Sequence, residues 1–164
     1  MKQILSLIIA AAWIAADYFS KLWALDSLAQ HSIKVNDYMN FHLAFNKGAA
    51  FSFLANQGGW QQWFFIGLAV LISLWLLYVL MVENLDSLSR FGYASILGGA
   101  LGNAHDRLVY GHVVDFIQWH YQDYYWPILN IADVAITIGV AAIIISGIRT
   151  WLSSTRALSG IRDA

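Results

Sequence analysis

Residues Trp63 to Val82, WFFIGLAVLISLWLLYVLMV, run for twenty residues without a charge. As a helix at 1.5 Å per residue that stretch covers about 30 Å, the thickness of a bilayer's hydrocarbon core. In lipid every backbone polar group must find its partner within the segment, so a helix is the form it can take. Three further apolar stretches lie at about residues 4–25, 91–108 and 128–148. The whole chain agrees: of 164 residues 59% are hydrophobic and 12% charged, which is too apolar for a surface bathed in water. These features predict a mainly α membrane protein with four transmembrane helices. No Pro-, Ser- or Gly-rich linker divides it, so residues 1–164 are read as one domain.

The first span starts like a signal peptide after Lys2, but it runs past the usual length of such a core from a chain that begins at Met1, so it is expected to stay as an anchor. Lys2, Arg90, Arg149, Arg156 and Arg162 flank one membrane face, while Lys34, Lys47 and Arg107 flank the other. The positive-inside rule then puts both termini in the cytoplasm. The short link ENLDSLSR makes the second and third spans antiparallel neighbours. Two longer segments are left outside, at about residues 26–62 and 110–127. The first, SIKVNDYMNFHLAFNKGAAFSFL, partly alternates apolar and polar residues and is rich in β-branched and aromatic ones, which predicts short strands with NKG as a turn. The second, HVVDFIQWHYQDYYWP, carries the Trp and Tyr of a headgroup-level surface loop, and Trp60 and Trp63 mark the same level on the next helix.

Composition also removes several classes of function. A net charge of −1 with no Lys/Arg cluster offers no field for nucleic acid. The absence of cysteine excludes disulfides, thiolate metal sites and a cysteine nucleophile. His105, His112 and His120 stand near carboxylates, but without HExxH or another regular ligand spacing they predict no metal, and no cofactor is expected. There is no G-x-S-x-G elbow, and a pairing of Ser52 with Lys47 or Lys21 has no supporting pattern.

The exception to the apolar pattern is Asp133, inside the stretch ILNIADVAITIGVAAIIISGI. A carboxylate at the centre of a span costs roughly 2.5–3.5 kcal/mol on insertion scales, so it needs a partner or a role. About five residues into its predicted helix, it lies roughly 7–8 Å below the outer interface. Asn130 and Thr137, three before and four after, share its helical face. Asp115, eighteen residues earlier, stands at the far side of a loop whose two ends return to the same surface. Two carboxylates held together in a low dielectric retain one proton between them, so one serves as base and the other as acid. That is the chemistry of an aspartic protease, which needs neither a covalent intermediate nor a metal. From spacing alone, each aspartate reads equally well as a helix cap or an ion-pair partner.

Five separated blocks bear on the choice: DYFSK, FNKGAAFSFL, GGALGNAHDR, GHVVDFI and NIADVAITIG. Together they make the chain resemble the lipoprotein signal peptidases (signal peptidase II) over nearly its whole length. That resemblance implies a four-helix bacterial inner-membrane aspartic peptidase with its active site near the outer face. Its substrates would be prolipoproteins cut just before a lipid-modified cysteine. It puts the catalytic pair on Asp115 and Asp133. It implies substrate-binding or site-organising roles for Asn46, Gly48, Asn103, Arg107 and Asn130, and structural support from Asp17, Lys21 and Asp106. Each has a plainer alternative: Asp17 and Lys21 as an i,i+4 pair neutralising membrane charge, Asn46 and Gly48 as a turn, Arg107 as a neutraliser of Asp106. Gly98 and Gly102 form a GxxxG, read as packing. The resemblance also implies membrane lipid as a partner and inhibition by peptide-like compounds such as globomycin; nothing demands more than a monomer. Ala104, His105 and Val134 depart from the family's usual residues without removing a carboxylate. The rival classes are a small transporter or channel-like subunit using Asp17, Asp133 and Arg107 as a polar path, and a structural membrane partner.

Overall fold

A computed structural model describes residues 2–48 and 59–162. The tail of the FNKGAAFSFL block, with Ser52, lies outside the described residues, as do the side chains of Arg156 and Arg162. Four helices carry the chain: α1 (Lys2–Ser27), α2 (Trp60–Val82), α3 (Ser87–Tyr110) and α4 (Ile131–Arg162). Among the described residues, three stretches are long and apolar enough to cross a membrane, namely α1, α2 and Ile131–Thr155 of α4. The expectation of four spans therefore meets a difference at α3. With 24 residues it is longer than α2, which has 23, and what it lacks is apolar composition. The reason is its position, because α1, α2 and α4 all pack against it. Its buried residues include Gly92, Ala94, Ser95, Gly98, Gly99, Gly102 and Asp106, small or polar groups that no lipid-facing helix would choose. The large apolar side chains lie outward on the other helices, with Phe19, Trp63 and Leu71 each about two-thirds exposed. In a bilayer that exposure is to hydrocarbon.

Small residues set how close the helices come. A Cβ on Gly92 would stand 2.6 Å from the Gly139 carbonyl oxygen, and one on Gly139 would stand 2.6 Å from that of Gly92. Gly99 lies against the carbonyl of Ala132, and Gly98 against that of Ala10 at 2.7 Å from a built Cβ. The predicted packing role of Gly98 extends to Gly102 in a different sense, since a Cβ there would meet the Asp17 carboxylate at 2.6 Å. Close approach of this kind is how helices associate where burial from water drives nothing. At the other end of the bundle Asp86 caps α3, accepting from the Leu88 and Ser89 amides and from Ser146 Oγ of α4 at 2.7 Å.

Beyond the helix ends stands an antiparallel sheet in the order β1 (Ile33–Lys34), β2 (Met39–Asn46), β3 (Val113–Tyr121), β4 (Tyr124–Tyr125). Strands in the first outer segment were expected, and β2 pairs with β3, 67 positions on at Asn46↔Val113. The aromatic segment expected as a surface loop is β3 and β4. Its first half is VVDFI, a buried run that reads as strand, whereas the Trp and Tyr of its second half remain exposed. Phe116 and Ile117 pack with Ala24 of α1 and with Leu28 just past its end, fixing the sheet to the bundle.

Candidate active site

Two local features bring Asp115 and Asp133 together. The first is a register irregularity. Phe41 pairs with Ile117 and Ala44 with Asp115, so β2 spends one more residue than β3 over that interval. Such a bulge re-aims the strand, and here it lies beside Asp115. The second is the bridge between Ile117 and Leu129, in which the Leu129 amide donates to the Ile117 carbonyl at 3.0 Å. It ties the strand to the residue just before Asn130.

Asn130 is the N-cap of α4. Its side-chain oxygen accepts from the Asp133 amide at 2.9 Å, and the Asp133 carboxylate accepts in return from the Asn130 amide at 3.3 Å. This is a capping box with an aspartate in the third position. Asp133 thus sits in the first turn, nearer the helix end than the five residues expected from the apolar pattern, with the positive end of the helix dipole beside it. Of the cap alternative, only Asp133 takes part in a cap, as the reciprocal member of the Asn130 box, while Asp115 lies within β3; the same Asn130 holds both acids. Its side-chain nitrogen, Nδ2, donates to Asp115 Oδ1 at 2.7 Å and to Asn103 Oδ1 at 3.0 Å. Asn130 itself is fully buried.

The other predicted residues converge on the same network. Asn103 donates to Asp133 Oδ1 at 2.9 Å, and Asn46 donates to Asp115 Oδ2 at 3.2 Å. The Gly48 amide donates to the Asn46 side chain at 2.9 Å, an Asx turn that fixes the amide facing Asp115. Arg107 donates to the Gly48 carbonyl at 2.9 Å and to the Asn103 carbonyl at 3.2 Å. It does not pair with Asp106. Asp106 instead accepts from the Val114 amide at 3.0 Å and meets Lys21 Nζ at 2.8 Å. Lys21 also reaches Asp17 at 2.7 Å and Asn103 at 3.2 Å, and Asp17 accepts from the Ala132 amide at 2.8 Å. One buried ammonium between two buried carboxylates therefore connects α1, α3, β3 and the start of α4. Thr137 is exposed, and its hydroxyl donates to the Asp133 carbonyl at 2.8 Å rather than extending a polar stripe into the bundle.

Asp115, Asp133, Asn46, Asn103 and Arg107 line a cleft of about 1540 Å³ that continues past Trp119, Tyr125 and Trp126. Burial pushes the Asp115 carboxyl up to about 7, and the neighbouring Asp133 charge adds to it, against hydrogen bonds from Asn46 and Asn130 that favour the anion. Asp115 is therefore poised to give or take a proton near neutral pH. Burial likewise pushes the His112 imidazole down. Among the described residues no three His, Asp or Glu side chains converge as metal ligands.

Sequence reasoning missed three participants. Gln62 of α2 donates to the Arg107 carbonyl at 2.7 Å, and Phe65 lies 5.1 Å under its guanidinium. Phe65 belongs to the charge-free span and Gln62 closes the outer segment just before it; a glutamine pair ahead of a charge-free run was the available signal. His120, weighed only as a metal ligand, stacks on Tyr125 at the far end of the cleft with both ring nitrogens buried and without a partner among the described residues. His105 is exposed beside Tyr18, and Val134 packs in the core under the sheet.

Membrane-length helices around a polar, small-residue helix, with carboxylates, amides and a guanidinium gathered at the helix ends, define a polytopic membrane protein with an enzyme-like site. Residues 9–149 match the family described as signal peptidase (SPase) II. The lipoprotein signal peptidase of Dichelobacter nodosus is 56% identical over 139 residues, 85% of this chain and 90% of that protein. That of Ralstonia nicotianae is 48% identical over 138 residues, covering 84% and 80%. A bacterial membrane enzyme structure determined by the in meso method at 2.3 Å resolution superposes with a TM-score of 0.79 at 30% identity, covering 88% of each chain. The chain belongs to the signal peptidase II family, and so to the membrane peptidases of lipoprotein processing.

Proposed function

We propose that this chain is an aspartic endopeptidase of the bacterial inner membrane that removes the signal peptide from diacylglyceryl-modified prolipoproteins, cutting just before the lipidated cysteine. The observation that carries the reading is the shared amide of Asn130, which bonds Asp115 at 2.7 Å while its carbonyl oxygen caps the helix turn holding Asp133. Asp115 is the protonated member. Asp133, with the Asn103 amide and the α4 N-terminus beside it, serves as the base. Asp133 takes a proton from water, the water oxygen attacks the carbonyl carbon, and Asp115 gives its proton to the carbonyl oxygen. Collapse of the tetrahedral species returns a proton to Asp115, and the one held by Asp133 goes to the departing amine. Every atom is accounted for without a metal or a covalent enzyme intermediate.

In this reading Asn46 and Gly48 meet the substrate backbone, Asn103 and Asn130 orient the acids, and Arg107 holds the Gly48 turn in place. Asp17, Lys21 and Asp106 are structural: they fix three helices and a strand at one point. We take α3 as the fourth span, shielded from lipid by its neighbours, with both termini cytoplasmic and the cleft at the outer face. There the substrate's acyl chains stay among lipid tails, and a peptide-like inhibitor such as globomycin occupies the cleft of a monomer. The test is purified protein with a diacylglyceryl-cysteine peptide and its unlipidated control. Cleavage of the first alone is expected; equal cleavage of both, or of neither, removes the assignment.

A further inference from the structure

The contacts around Lys21 follow a pattern that bears on the acid pair. Its Nζ lies 2.7 Å from Asp17 Oδ2 and 2.8 Å from Asp106 Oδ2, and all three side chains are buried. Each carboxylate also accepts from one backbone amide. Asp17 Oδ1 takes that of Ala132 at 2.8 Å, and Asp106 Oδ2 takes that of Val114 at 3.0 Å. Ala132 is the residue before Asp133, and Val114 is the residue before Asp115. One path of short contacts thus runs from the Val114 amide through Asp106, Lys21 and Asp17 to the Ala132 amide. A further contact points the same way: Lys21 donates to Asn103 Oδ1 at 3.2 Å, which turns Asn103 Nδ2 to donate to Asp133 Oδ1 at 2.9 Å. Gly102 leaves room for the path, since a Cβ there would stand 2.6 Å from Asp17 Oδ2 and 3.5 Å from the Ala132 Cβ. Holding helices together does not by itself call for charge, because apolar groups of similar volume in place of a buried ion pair are often neutral or stabilising. What a carboxylate adds is direction, through short hydrogen bonds of defined length.

We propose that Asp17, Lys21, Asp106 and Gly102 form a yoke that sets the separation of Asp115 and Asp133, and with it the strength of their coupling. Besides tying the helices, they are positioning residues for the acid pair. The inference rests on the peptidase reading and adds what fixes the geometry of its two acids. Its consequence lies in the pH dependence. Two carboxyls that share a proton titrate in two steps, and the closer they are held, the wider the interval between the steps. The active form, with one proton on the pair, is populated within that interval. A slackened yoke therefore narrows the bell of activity against pH. Loss of folded protein lowers the bell's height, and a change of nearby charge moves both limbs together. The charged and titratable groups around the pair and the yoke are Asp17 and Lys21 of α1, and Asp106 and Arg107 of α3. His105 and His112 lie beyond Asp106, and Lys47 stands on the cleft wall just past β2.

Asp106→Asn and Asp106→Ala separate the yoke from the charge. Both remove one negative charge, but the asparagine keeps an oxygen for the Val114 amide and for Lys21. In kcat against pH on purified folded protein, Asp106→Asn should move both limbs to lower pH and keep the interval. Asp106→Ala should also narrow the interval, by about one pH unit. Equal intervals in the two variants overturn the proposal. Gly102→Ala crowds the other arm with no change of charge, so it should alter the interval and leave the midpoint in place. An unaltered interval there contradicts the yoke, and that variant decides the question where Asp106→Ala does not fold. The same interval is read without substrate from the carboxyl carbon shifts of isotope-labelled aspartate, assigned with Asp115→Asn and Asp133→Asn. If the wild type cleaves nothing, the peptidase reading fails, whereas the titration still measures whether the yoke sets the coupling.

Discussion

At the residue scale the site depends on how little water reaches Asp115. Its carboxyl moves from the ordinary 3.8 to about 7, chiefly through burial and then through Asp133. Because the folded value lies above the unfolded one, the native state holds a proton that the unfolded state releases first. Stability from this group is full below about pH 4, declines as pH rises toward 7, and is absent above. Asp115→Asn should therefore melt higher than wild type at pH 8, and the gap should close as pH falls toward 4; a gap independent of pH would contradict the assignment. Activity should fall on the alkaline side with an apparent value near 7 that belongs to the pair. Asn46→Ala removes a bond that favours the Asp115 anion and should shift that limb to higher pH, measurable as kcat against pH. Lys21→Met leaves Asp17 and Asp106 buried without their cation, and should cost about 3–5 kcal/mol of stability by thermal melting in detergent.

At the element scale α3 carries most of the architecture, and it was the element least legible as a span. Its Gly-rich, polar sequence describes a helix buried by other helices rather than one facing lipid. The paired contacts of Gly92 and Gly139 predict that Gly92→Leu forces α3 from α4, lowering the melting temperature and activity together. Strands in the first outer segment were legible from alternation. The pairing of β2 with β3 was not, because it joins segments separated by two helices, and nothing local records a long-range partner. VVDFI shows why the second strand was read as loop: the aromatic residues after it masked a five-residue buried run. The start of α4 was misjudged by a few residues because ILN before Ile131 is as apolar as the helix; the Asn130-x-x-Asp133 box was the available signal.

At the scale of the whole molecule, the ten site residues expected from motif and resemblance fall into one connected network at one end of the bundle. That convergence was readable because each residue belongs to a block with its own spacing. Gln62 and Phe65 were not, because their partner Arg107 lies 45 positions away from the glutamine and only the fold brings them together. Under the proposed topology, Arg149→Cys should label with a membrane-impermeant maleimide only from the cytoplasmic side, and Lys34→Cys only from outside. Labelling of both from one side would remove α3 as a span. The central claim, that Asp115 and Asp133 act as one acid–base pair, is tested most directly by turnover of a diacylglyceryl-cysteine peptide by purified Asp115→Asn and Asp133→Asn beside the wild type. The account predicts that both variants insert, fold and fail to cleave; measurable turnover by either folded variant would contradict it.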